Sequence, residues 1–239
     1  MKTMLSGVTR ALLLVDGSRR TLEGNVALVI PPVAGILNLL ACASFEPSLE
    51  TDATGHTLSL FFLLQTTLFI ALTITHFSGQ SLPVLTRSRI FPGTPADRFL
   101  FVVIVNLRRR IVLALLLSTL FFLAVVYRHT PLTAVAAIFL YGLLLCASEA
   151  LLATIMLALA RTPYPAASGL ALGGVLCVGC SAGLLSPDPG GFLAVLPPVN
   201  WAAGGVVAAA GGTVFGFFLN STLIAATGAL AAIIGSRTA

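Results

Sequence analysis

Long apolar stretches alternate with short polar or charged ones along most of this chain. About 20 apolar residues in a helix are enough to cross the roughly 30 Å hydrocarbon core of a bilayer. Helices also satisfy every backbone polar group inside lipid. The pattern therefore predicts an all-α integral membrane protein with six transmembrane helices. The six predicted spans cover residues 26–45, 57–77, 111–127, 132–160, 166–185 and 213–235.

The composition agrees with a membrane protein. Of the 239 residues, 57% are hydrophobic and 9% are charged, whereas soluble domains contain about 25% charged residues. Because the six spans and their connections use nearly the whole chain, residues 1–239 are predicted to form one transmembrane domain. The net charge of +5 does not indicate a nucleic-acid partner, since the cations are scattered over short connections.

Two segments outside the spans are predicted to be short helices. Near the amino terminus, Met4, Leu5 and Val8 recur at helical spacing with Lys2 offset from them, which is typical of a helix lying in the membrane interface. A frayed tail is the alternative. Residues 191–212 are apolar but interrupted by proline and glycine pairs, so short re-entrant or interfacial helices are expected there between spans five and six.

The distribution of Lys and Arg predicts the orientation of the spans. The segment 81–110, called the basic segment below, holds six of the 13 Lys and Arg residues. In the six-span arrangement only Arg128 falls on the opposite side from all the others. By the positive-inside rule, the basic segment and both termini are predicted to be cytoplasmic in a multi-pass protein of the cell membrane.

Few polar residues lie within the predicted spans. Glu149 is the only carboxylate well inside one, and it should face the bundle interior, a wet cavity or an arginine because an ionised group in lipid is costly. A role in a substrate path or in ion coupling and a purely structural role both remain open. For Gln65 and Asn220, a role in interhelical hydrogen bonds is favoured over a role in lining a path. Together these three residues are the candidate translocation path.

The sequence does not indicate an enzyme or a metal site. His56, His76 and His129 fall at span ends on different sides of the membrane, so they do not form one acid-base or metal site. The GxSxG match at residues 179–183 lies in the middle of a span without a preceding strand. A GxxxxGK[ST] phosphate loop does not occur, so the chain is not expected to bind ATP in that way.

The basic segment is predicted to contain a helix. Thr94 is a suitable helix cap and Pro95 a suitable first helical residue, and a helix starting there would run from Ala96 through Leu107. An ordinary positively charged loop is the alternative.

The run Arg89-Ile90-Phe91-Pro92-Gly93-Thr94-Pro95-Ala96-Asp97-Arg98-Phe99 in this setting resembles the coupling segment of membrane subunits of ABC transporters of the type-2 exporter class. The order of predicted elements resembles that class over nearly the whole chain: an interfacial amino-terminal helix, a cytoplasmic coupling helix between spans two and three, and re-entrant helices between spans five and six. The chain is rather short for the class, and the triplet Arg108 to Arg110 departs from its pattern.

The resemblance implies a transmembrane subunit that forms a translocation path as a homodimer or heterodimer in the lipid bilayer of a bacterial inner membrane. Separate ABC ATPase subunits would supply the energy, with ATP and Mg²⁺ bound on that partner and no cofactor on this chain. A membrane scaffold or anchor subunit that does not transport is the alternative. The residues expected to dock the ATPase are Arg87, Arg89, Phe91, Pro92, Asp97 and Arg98.

Overall fold

The computed structural model describes part of the chain. The residues described are 61–62, 65–66, 70, 94–107, 116–117, 119–124, 127, 130–164, 167–169, 171–172, 174–175 and 198–238.

Four helices are described over their full length. In chain order they are α1, Pro95–Leu107; α2, Pro131–Leu159; α3, Val199–Ala210; and α4, Val214–Thr238. Shorter helical pieces occur at residues 61–62, 65–66, 116–117 and 119–124, and no strand is found among the described residues. The prediction of an all-helical chain is confirmed for this part.

Helices α2 and α4 are long and apolar enough to cross a membrane. They coincide with the predicted spans 132–160 and 213–235 to within three residues at each end. Helix α2 begins at Pro131, one residue before its predicted start, because proline fits the first helical position. Helix α4 continues to Thr238, three residues beyond its predicted end. The other four predicted spans lie wholly or partly outside the described residues, so the count of six stays a prediction.

Glycine and alanine let α2 and α4 approach closely. A Cβ atom built on Gly228 would lie 3.0 Å from the Ala147 Cα atom. A Cβ on Gly235 would collide with the Thr154 hydroxyl and come within 2.6 Å of the Phe99 ring. Close approach of backbones at small residues is the usual way in which membrane helices gain packing energy. Gly228 meets Ala147, and further along both helices Gly235 meets Thr154. The contacts therefore follow the same order along the two helices, so α2 and α4 run parallel.

A side-chain hydrogen bond from Thr154 joins these two helices. The Thr154 hydroxyl lies 2.9 Å from the carbonyl oxygen of Ala150 in its own helix and 2.9 Å from that of Ala231 in α4. Its proton is therefore shared between an intrahelical and an interhelical acceptor. This contact fixes the register of α2 against α4 one turn before Gly235.

Helices α3 and α4 form an antiparallel hairpin. The turn between them contains Gly212 at φ +71°, a conformation that glycine adopts without the steric cost of a side chain. Thr213 closes the turn by donating from its hydroxyl to the Ala208 carbonyl at 2.9 Å. A Cβ atom on Gly216 would lie 3.0 Å from the Ala208 Cβ atom, so the two helices are in contact immediately after the turn.

The centre of the described bundle is apolar and aromatic. The Phe61 and Phe122 ring centroids are 4.6 Å apart, and the Phe62 ring stacks on Tyr141 at 5.8 Å. Phe61 and Phe62 belong to the second predicted span and Phe122 to the third, so described residues of both spans pack in the same core as Tyr141 of α2. Helix α3 completes this core with Val199, Ala202, Ala203 and Val206.

The outward faces of α2 and α4 are also apolar. Large exposed side chains occur along both helices, and Phe215 on α4 is 80% exposed. Such surfaces suit lipid chains, or further protein within a membrane. The exposed large apolar residues of these two helices are Leu132, Val135, Phe139, Leu151, Val214, Phe215, Phe218, Leu219, Leu230, Ile233 and Ile234.

Substitution Gly228→Ala tests the close packing of α2 and α4. The added methyl group meets the Ala147 backbone, which has no rotamer to change, so the unfolding free energy should fall by about 1–3 kcal/mol. The matched control is Gly142→Ala in α2, where a Cβ atom has nothing within 4 Å and helix propensity favours alanine. Thermal unfolding of purified protein in the same detergent measures both. Equal effects of the two substitutions would contradict the close contact.

Substitution Thr154→Val tests the interhelical hydrogen bond. It removes the donor with little change of shape, and hydrogen bonds between membrane helices contribute about 0.6 kcal/mol on average. Thr222→Val is the control, because that exposed hydroxyl donates only to Phe218 in its own helix. Stability should fall by about 0.5–1.5 kcal/mol for Thr154→Val, measured in the same unfolding assay, and by clearly less for the control.

Candidate functional site

Helix α1 starts with a capping box. The Asp97 carboxylate accepts hydrogen bonds from the Thr94 backbone N–H at 2.9 Å and from its hydroxyl at 2.8 Å. The Asp97 N–H in turn approaches the Thr94 hydroxyl oxygen at 3.3 Å. These contacts satisfy backbone groups that a helix start leaves open, with Pro95 at the first position where no N–H is needed. The predicted helix and its cap are confirmed.

The remainder of α1 packs into the bundle. Phe101, Val102 and Asn106 are buried, and the Phe99 ring lies against Gly235 of α4. The helix therefore does more than follow the surface of the protein. Its capped end is exposed at Thr94, and its other end lies among α2 and α4.

A buried hydrogen bond links α1 to α2. The Asn106 amide donates from Nδ2 to Glu149 Oε1 at 2.9 Å, and the two residues are 0% and 3% exposed. An amide donor lowers the cost of keeping a carboxyl group away from water, and hydrogen bonds to charged groups contribute more than neutral ones. Asn106 Oδ1 is also buried, and no donor among the described residues reaches it.

The contacts of α1 define its direction. Phe99 lies level with Gly235 and Thr154, whereas Asn106 reaches Glu149. From Phe99 to Asn106 the residue numbers of α1 rise, whereas the neighbouring residues of α2 fall from Thr154 to Glu149. Helix α1 therefore runs antiparallel to α2. The exposed cap at Thr94 and the contact of Asn106 with Glu149 therefore lie toward opposite ends of α1.

A second buried polar contact involves the second predicted span. The Thr119 hydroxyl donates to Gln65 Oε1 at 3.4 Å, and Thr119 and Tyr141 also share a side-chain hydrogen bond. Gln65 is 1% exposed and Thr119 is 0% exposed. These three side chains join the second span, the third span and α2 by polar contacts inside the apolar core.

Asn220 has a more local role. Its Nδ2 atom donates to the Gly216 carbonyl in α4 at 2.9 Å. The same side chain would lie 3.7 Å from a Cβ atom on Gly204 of α3. Asn220 therefore packs across the hairpin of α3 and α4 and is half-buried.

The three candidate path residues do not come together. Gln65 lies near Tyr141, and Asn220 lies beside Gly205, which contacts Leu140. These two are therefore at a similar depth along α2. Glu149 is eight residues beyond Tyr141, or about 12 Å along the helix axis. In this structure each of the three is engaged in packing or hydrogen bonds within the bundle.

The residues predicted to dock an ATPase divide into two groups. Asp97 is part of the capping box, and Arg98 is half-buried at the same end of α1. Arg87, Arg89, Phe91 and Pro92 lie outside the described residues. Whether any of the six contacts a partner stays a prediction.

Sequence reasoning missed the partners of the polar residues that it found. Asn106, Thr119 and Thr154 were not singled out, although each makes an interhelical hydrogen bond. The rule that a carboxyl group inside a span needs a polar partner could have directed attention to Asn106. It is the only amide in α1, after the apolar run Val102 to Val105.

Substitution Asn106→Leu tests the contact with Glu149. It removes a donor from a buried carboxyl group, so the unfolding free energy should fall by about 2–4 kcal/mol. Glu149→Gln keeps a side-chain oxygen that can accept from Asn106 and should cost less.

A double-mutant cycle with Asn106→Leu and Glu149→Leu measures the coupling directly. The double variant should be more stable than the sum of the two single effects predicts, because it leaves neither polar partner buried alone. Additive effects, within about 0.5 kcal/mol, would show that the two side chains do not interact.

Searches of family models, of curated proteins and of solved structures found no match to this chain.

Proposed function

We propose that this chain is a transmembrane subunit of an ATP-driven exporter similar to the type-2 ABC class, powered by separate ATPase subunits that dock on the basic segment. With a second membrane subunit, it would form the translocation path. Both termini and the basic segment would be cytoplasmic, and α3 would be one of the re-entrant helices.

The observation that carries the proposal is helix α1. It lies in the basic segment, between the second and third predicted spans, and has a cap of its own. Its exposed end is available to a partner, while its other end is hydrogen-bonded to the carboxyl group of a predicted span. A helix placed in this way can pass a displacement from the surface into the bundle, as a coupling helix must.

The relation of α2 to α4 also supports the proposal. In a six-span chain the fourth and sixth spans cross the membrane in the same direction, and α2 and α4 are parallel. Helix α3 has 12 residues, about 18 Å of helix, which is too short to cross a bilayer. Helix α3 packs antiparallel against the start of α4. This arrangement suits a re-entrant segment, in which the chain enters and leaves the membrane on the same side.

A scaffold subunit is the second candidate, and one observation favours it. Gln65 and Glu149 are almost fully buried in side-chain hydrogen bonds, so neither lines an open path in this structure. Polar contacts of this kind stabilise a bundle whether or not it transports anything.

Purification of the tagged chain from its own membranes tests the two candidates. The exporter proposal expects a protein with a GxxxxGK[ST] phosphate loop to copurify in stoichiometric amounts. Substitution Phe91→Asp should weaken this association by roughly 30-fold or more, as expected for loss of about 2 kcal/mol at an interface aromatic.

The control is Tyr164→Asp, which places the same charge on a 75% exposed aromatic residue in another predicted cytoplasmic turn. It should leave copurification unchanged. Asp97→Arg is a poorer test, because it also removes the cap of α1. Recovery of a complex without an ATPase would support the scaffold, and unchanged association of Phe91→Asp would refute docking at the basic segment.

A further inference from the structure

We infer that the carboxyl end of α4 binds one anionic phospholipid. Arg237 binds the phosphate of its headgroup, Arg98 adds a second positive charge, and the exposed apolar face of α4 receives an acyl chain. The lipid belongs to the leaflet on the predicted cytoplasmic side. Binding requires that α4 spans a membrane and is independent of any ATPase partner.

Four residues of α4 share one outward face that ends in a cation. Leu230, Ile233, Ile234 and Arg237 are spaced i, i+3, i+4 and i+7, which places them on one side of a helix. All four are exposed. The other side of the helix packs against α1 and α2 at Gly235. An outward apolar stripe that ends in an arginine has the same order as the acyl chain and phosphate of a phospholipid.

The length of α4 places this arginine among the headgroups. Its 25 residues extend about 38 Å, more than a hydrocarbon core of roughly 30 Å. Leu230 lies about 10 Å before Arg237 along the helix axis, which is less than the thickness of one hydrocarbon leaflet. A long arginine side chain also extends toward the membrane surface while its stem stays on apolar groups. The guanidinium is therefore at the level of lipid phosphates.

Toward the middle of the bilayer, the same face of α4 has a shallow depression. Thr222 and Ala226 are exposed there, and both side chains are small. The larger exposed side chains of Leu219 and Leu230 bound them on either side. An acyl chain is flexible enough to follow such a surface and to approach the helix backbone where the side chains are small. The apolar part of the lipid therefore has a defined place below Arg237.

Helix α1 brings a second guanidinium to this end. The Phe99 ring lies against Gly235, and α1 runs antiparallel to α4, because α1 is antiparallel to α2 and α2 is parallel to α4. Arg98 precedes Phe99, and Arg237 follows Gly235. Both cations therefore lie on the same side of this contact, about 1.5 and 3 Å beyond it along their helix axes.

The charge of the described residues at this end is positive. Arg98, Arg161 and Arg237 are three cations. Of the acidic side chains that the structure describes, Asp97 lies at this end and accepts hydrogen bonds within the helix cap, whereas Glu149 is buried closer to the middle of α2. Arginines near a membrane surface attract anionic lipids. The surface is therefore complementary in charge to an anionic headgroup.

Native mass spectrometry of the full-length protein in detergent tests the inference. The protein is titrated with a phosphatidylglycerol and with a phosphatidylcholine that carries the same acyl chains. The test variant is Arg237→Gln, which removes the charge and keeps a polar side chain. The matched control is Arg161→Gln, because Arg161 is also exposed but lies in the turn after α2 instead of on α4.

One phosphatidylglycerol molecule should bind more tightly than further ones and more tightly than phosphatidylcholine. Arg237→Gln should weaken this binding about fivefold, the effect of losing one cation near an anionic lipid surface. Arg161→Gln should leave it unchanged. Both arginines are exposed, so neither substitution should alter thermal unfolding without lipid.

A headgroup without acyl chains separates a lipid from a soluble phosphate compound. Glycerol 3-phosphate in excess should not displace phosphatidylglycerol, because it lacks the part that contacts the apolar face of α4. Displacement would mean that the ligand is a soluble phosphate compound and would overturn the lipid assignment. Unchanged binding by Arg237→Gln would refute the inference. Equal weakening by Arg237→Gln and Arg161→Gln would also refute it, since it would show a general attraction to this side of the protein.

Discussion

The constraint on which the described structure depends is that a polar group inside an apolar bundle must find a partner in the protein. Water does not reach these groups, and an unsatisfied group costs several kcal/mol in a hydrocarbon surrounding. The bonds from Asn106 to Glu149 and from Thr119 to Gln65 each join different segments of the chain. Each polar side chain therefore specifies which helices are neighbours and in which register.

Apolar packing provides the close contacts that polar pairing requires. Lipid chains are as apolar as leucine, so burying a large side chain between membrane helices gains little from the hydrophobic effect. The gain comes from close approach, and Gly228 and Gly235 allow it on α4. Where the backbones come this near, the Thr154 hydroxyl can reach a carbonyl oxygen of the neighbouring helix.

The sequence determined the elements more clearly than their contacts. The apolar runs that became α2 and α4 were predicted to within three residues, and Thr94, Pro95 and Asp97 specify the start of α1 through local chemistry. Both long helices are apolar on all sides. Their hydrophobic pattern therefore does not indicate which face packs, so the pairing of Asn106 with Glu149 depends on a tertiary arrangement that periodicity does not encode.

The length of α2 changes the meaning of a buried carboxyl group. Its 29 residues extend about 44 Å, well beyond a hydrocarbon core of roughly 30 Å. If Pro131 lies at the outer boundary, as the loop charges predict, Glu149 is about 27 Å below it along the helix axis and close to the inner headgroups. The bond to Asn106 would then lie where lipid gives way to the cytoplasm. Thicker or thinner bilayers would move this boundary past the bond, giving membrane thickness a direct influence on α1.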